Sequence, residues 1–142
     1  MLNHSTERLA NLIRSKHQVL VQLRDVGQRQ SNFIASGDST SLLKLLTAKQ
    51  HLISALQSVE HELVPYFAED PESRQWRSPE DRALCARQAA ECNSLLEEIV
   101  RLEKSGAEQM TARRNEVAEQ LQRFHAAAHV RSAYEAQRRA SA

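Results

Sequence analysis

From Leu9 the apolar positions fall at Leu9, Leu12, Ile13, Val19, Leu20, Leu23, Val26, Phe33 and Ile34. Leu12, Val19, Val26 and Phe33 are seven apart, with Ile13, Leu20 and Ile34 beside them. Such spacing gathers the side chains into one helical stripe about 100° wide, whereas a strand would alternate. Ser5 is placed to cap this helix, and Gly37 to close it in the left-handed conformation. A second stripe follows at Leu42, Leu45, Leu46, Leu52, Ile53, Leu56, Val59 and Leu63, with Asp38 or Ser39 as cap and Pro65 as expected stop. Only residues 37–40 separate the two helices, so they must turn back on each other. The pattern predicts a long antiparallel hairpin with arms of about 28–30 residues, roughly 42–45 Å each.

The two arms repeat a phrase. LIRSKHQVLVQL (12–23) and LLTAKQHLISAL (45–56) each carry a lysine, Lys16 and Lys49, where apolar residues stand a heptad before and after. A lysine there packs its stem and keeps its ammonium in water. A polar group in a seam also sets register at some cost in stability. No carboxylate partner for either is evident along the chain. The spacing of the phrases is near that of helical repeat arrays, but each unit is one helix, not a pair, and there are only two.

Residues 65–82, PYFAEDPESRQWRSPEDR, interrupt the periodicity and hold all three prolines and three of the aromatics, Tyr66, Phe67 and Trp76. These rings are expected to close the open end of the hairpin, since an exposed cluster is a liability; the alternative is that Trp76 anchors a partner. Ser78-Pro79-Glu80-Asp81 then starts a third helix, with serine at the cap and carboxylates near the positive end of the dipole. Its stripe runs Leu84, Cys85, Cys92, Leu95, Leu96, Ile99, Leu102, thins at Ser105-Gly106, and resumes as Met110, Val117, Leu121, Phe124 and Ala128, with Tyr134 slightly off line. Unbroken, this helix would reach about 60 residues and 90 Å, twice either arm.

The expected fold is therefore all-α: a hairpin plus a third long helix in a three-helix bundle. A core of residues 1–105 (helices about 5–36, 39–64 and 79–105) would be followed by a C-terminal amphipathic helix, 106–142. The hairpin can cover only the first half of the third stripe. The second half must fold back at Gly106, pair with another copy of the chain, or bind a different protein. Met110, Val117, Leu121, Phe124 and Tyr134 are the candidate partner-binding residues.

Composition narrows the function. Hydrophobic residues at 41% and charged residues at 26% are ordinary for a folded protein, and aromatics at 4% imply an aliphatic core. A formal charge of +1 gives no field that argues for nucleic acid. No run of roughly 18 apolar residues suggests membrane insertion. Arg113, Arg114, Arg123, Arg131, Arg138 and Arg139 make the last segment basic, but its apolar side is too rich in alanine to hold a bilayer strongly. The N-terminal residues lack an apolar signal core, so a cytoplasmic location is the expectation. Cys85 and Cys92 are seven apart, about 10 Å along a helix and beyond disulfide reach, and are expected in the core. His125 and His129 share a helical face without a third ligand at suitable spacing. No Glu-x-x-His pair, zinc-protease motif, phosphate loop or nucleophile context is recognisable. The expectation is a non-enzyme without metal or cofactor.

FIASGDSTSLLKLLTAKQHLISAL, residues 33–56, resembles the signature part of the FlgN family of flagellar export chaperones. In that family a first long helix ends near a Gly-Asp turn and a second runs leucine-rich through Lys-x-x-Leu-Leu-x-x-Leu-like spacing. Gly37-Asp38, Leu42, Leu45, Leu46, Lys49, Leu52, Ile53 and Leu56 occupy those places here. The likeness covers residues 9–60, and total length is similar. It implies a cytoplasmic chaperone that holds flagellar hook-associated proteins before type III export. It also implies that the C-terminal amphipathic helix binds the helix-forming C-terminal segment of the client and that the protein meets the export gate. The alternative from another class is a structural or adaptor protein that homodimerises through the same helix.

Overall fold

A computed structural model describes residues 5–140, which are all-α. Helix α1 spans Thr6–Ser36, α2 spans Ser39–Phe67, a single 3₁₀ turn spans Pro71–Ser73, and α3 spans Pro79–Ala140. The chain divides into two compact units, Met1–Gly106 and Ala107–Ala142.

The helix ends follow local chemistry. The Ser5 hydroxyl accepts the Arg8 N–H at 3.3 Å. Gly37 sits at φ 72°, where a side chain would clash, and its N–H and that of Asp38 reach back to Ile34 and Phe33 carbonyls. Asp38, not Ser39, caps α2 by accepting the Ser41 N–H at 3.0 Å. Hydrogen bonding to Ser41 holds its carboxyl below the usual value. Ser78 caps α3 through the Asp81 N–H. The expected stop at Pro65 is not observed, because α2 continues to Phe67. Pro65 loses the hydrogen bond to the His61 carbonyl and crowds it, but the extra turn carries Tyr66 into the core at 2% exposure. Nor does the third helix end near 105. Gly106 is itself helical.

In the first unit, α1 buries Leu9, Leu12, Leu20, Leu23, Val26, Gly27 and Ile34. The strict heptad through Val19 and Phe33 is not the centre of this face, since both are only half-buried. A helix with two neighbours buries the line bisecting them, and here that line passes through Lys16, Gly27 and Gln30. Gly27 has a specific reason to be glycine: an added Cβ would lie 3.1–3.2 Å from Leu102 side-chain carbons on α3. On α2 the buried and half-buried residues Leu42, Leu45, Lys49, Leu52, Leu56, Val59, Leu63 and Tyr66 alternate three and four apart, while Leu46 turns outward.

Two apolar clusters form. Leu9, Leu12, Leu63, Tyr66 and Cys85 make the first, with Trp76 packed against it. Leu20, Leu23, Cys92 and Leu95 make the second, flanked by Leu52, Leu56 and Ile99. The loop closes the first cluster with polar ties: the Tyr66 hydroxyl to the Ser5 carbonyl (3.2 Å), Thr6 to the Gln75 carbonyl (2.8 Å), and Arg74 to the Tyr66 carbonyl (2.8 Å). Tyr66 and Trp76 thus pack inward, whereas Phe67 is exposed.

Both seam lysines have carboxylate partners, which the sequence did not name. Lys16 Nζ meets Glu60 on α2 at 2.8 Å, and Lys49 Nζ meets Glu103 on α3 and donates to the Gln30 side-chain carbonyl at 3.3 Å. Their side chains are 14% and 15% exposed. The partners lie on other helices, invisible until the chain folds. His17 and Glu91, 2.8 Å apart, add a tie from α1 to α3.

Candidate partner-binding face

The second unit is a helical segment of a composition that favours helix: alanine, arginine, glutamate and glutamine dominate, and glycine and proline are absent from 107–140. Arg138 and Arg139 stand in the last turn, where the helix dipole favours cations. Every described residue beyond Gly106 is exposed except Gln109 and Ala128, which are partly so. That includes the large apolar side chains, from 45% at Val117 to 70% at Phe124.

Helical geometry sorts the sequence-predicted residues. At about 100° per residue, Met110, Val117, Leu121, Phe124 and Ala128 fall within roughly 40° of one line. Four of the five candidates therefore share a face. Tyr134 lies about 120° from that line and does not extend the stripe. Val130, 67% exposed, was not anticipated and stands nearly opposite it. The Phe124 ring meets the His125 ring edge-on, with centroids 6.4 Å apart.

The polar residues are distributed unevenly around this stripe. Arg113, Arg114, Arg131, Arg138 and Arg139 lie within about 80° of the stripe axis. Glu108, Glu116 and Glu119 lie at least about 120° from it, and only Glu135 falls on the apolar side. The stripe has a basic rim, and its back carries three glutamates and one arginine, Arg123. Arg113 reaches Glu116 at 3.9 Å, a long pair between exposed side chains.

Among the described residues no three of His, Cys, Asp and Glu are grouped to hold a metal ion, so His125 and His129 lack the further ligands a site requires. Cys85 lines a cleft of about 510 Å³ in the first unit with Leu9, Tyr66, Phe67 and Trp76. Burial pushes its thiol up, with Arg74 opposing weakly, and burial does the same to Cys92. Both cysteines are free, and a thiol held protonated is a poor nucleophile. Arg74 and Arg82 beside the cleft are engaged by Glu69 and Glu72. No described helix is long and apolar enough to cross a membrane.

Comparison with known protein families, with characterised proteins and with solved structures finds no match to this chain.

Proposed function

We propose that this protein is a helix-binding export chaperone whose second unit receives the amphipathic, helix-forming C-terminal segment of a client. The observation that carries this reading is the exposed stripe of Met110, Val117, Leu121 and Phe124. Side chains of this size each contribute about 1.5–3 kcal/mol when fully withdrawn from water, and a partner helix laid along the stripe withdraws several together. Ordering the client offsets much of that gain, which suits a partner that must be released again. The likeness of residues 33–56 to the FlgN family supports flagellar hook-associated proteins as clients and the type III export gate as a second partner, in the cytoplasm.

Co-purification of the full chain with C-terminal segments of hook-associated proteins tests the proposal. Retention by the full chain, and its loss in Leu121→Glu/Phe124→Glu, is the expected result. A folded full-length protein that retains none of those segments would remove the chaperone reading.

A further inference from the structure

We infer that the client helix is acidic: an amphipathic helix whose apolar stripe is bordered by glutamate or aspartate, docked so that those carboxylates meet the arginine rim of 113–139. This rests on the chaperone reading and specifies the chemistry of the partner. The rim carries it. Arg113 and Arg131 border the stripe about 60° to one side, and Arg114 lies about 40° to the other. Three of the four glutamates of the segment, Glu108, Glu116 and Glu119, are turned to the back. Residues that flank an apolar seam face the flanks of the helix docked on it, so they select partners by charge.

The same rim disfavours a second copy of this chain. Parallel pairing on the stripe brings opposite flanks together and would set Arg114 against Arg113 of the second copy. Antiparallel pairing brings like flanks together and, centred near Leu121, would set Arg113 against Arg131. Like charges at such positions are repulsive in either direction. An acidic partner meets no such conflict. The pair between Arg113 of the rim and Glu116 of the back is long and exposed and is readily exchanged for an intermolecular one.

The test uses the full chain and three synthetic amphipathic peptides of about four heptads, identical in an alanine–leucine stripe and flanked by glutamate, glutamine or lysine. Affinity is read by fluorescence anisotropy at about 50 mM and about 500 mM salt. The glutamate-flanked peptide is expected to bind at least about tenfold tighter than the lysine-flanked one at low salt, with the gap closing at high salt. Arg113→Gln/Arg114→Gln/Arg131→Gln, checked for unchanged helix content, should abolish the preference and leave affinity for the glutamine-flanked peptide unaltered. Equal affinities for the three peptides would overturn the acidic-partner inference and leave the chaperone reading standing. No binding of any peptide would overturn both. Binding to anionic vesicles in place of peptides, or a dimer dispersed by Leu121→Glu, would replace the acidic helix with a membrane surface or a second copy.

Discussion

Gly27 and Gly106 are both helical and both buried, yet they answer to different neighbours. Replacing glycine by alanine inside a helix is worth about 0.5–1 kcal/mol in backbone entropy. At Gly106 the new methyl would meet only the end of the Gln30 side chain, at 3.3 Å, which can move aside. Gly106→Ala is therefore expected to stabilise the protein by about 0.5–1 kcal/mol in urea denaturation. At Gly27 the methyl would press on Leu102 Cβ, which moves only with α3, so Gly27→Ala should show no gain. Gly27→Leu should destabilise by about 1–3 kcal/mol. A similar gain at both sites would mean that α3 does not pack closely on Gly27. The caps at Ser5, Gly37, Asp38 and Ser78 were legible because a cap is recognised by its own residue type and its neighbours in the chain. Gly27 was not, since the atom that excludes a side chain there lies on the third helix.

At the scale of the helix, the seam lysines differ from a snorkelling lysine by having a partner. Lys49 ties α2 to α3 through Glu103 and to α1 through Gln30. Both ends of the ion pair remain partly in water, so replacing the lysine with an apolar residue of similar length should change little. Lys49→Met is expected within about 1 kcal/mol of the parent protein. Lys49→Glu should cost more than about 1 kcal/mol, because it sets a carboxylate against Glu103 in the seam, and Lys49→Glu/Glu103→Lys should recover much of the loss. Denaturation midpoints of the four proteins decide this, and failure of the exchange to recover stability would mean that stem packing alone explains the position. The period of the stripes was enough to place the helices. Their rotation was not, because a helix with two neighbours turns its buried face towards both. Hence Val19 and Phe33 moved to the margin, and Lys16, Gly27 and Gln30 took the centre.

For the molecule, the three groups with raised pKa values share one consequence. Burial raises Cys85 and Cys92 above the ordinary thiol value of 9.0, and Tyr66 above 10.0. Folding therefore retains protons that the unfolded chain releases in that range. The stability they contribute is intact below about pH 9 and declines as pH rises further, which thermal melts from pH 7 to 10.5 would show. A flat profile would mean that these groups are open to solvent. Neither apolar cluster includes a residue beyond Ile99, so truncation after Gly106 should leave a cooperative unfolding transition with a midpoint close to that of the full chain. A protein that loses cooperativity on truncation would show that residues 107–140 contribute to the core. By itself the sequence determined three helices, their caps and an apolar stripe that runs on past Gly106, because propensity, capping and periodicity act within a few turns of chain. Only the tertiary structure decided which carboxylates meet Lys16 and Lys49, why Gly27 must be small, and that Tyr66 and Trp76 pack inward while Phe67 does not, because those outcomes depend on atoms brought together from distant parts of the chain.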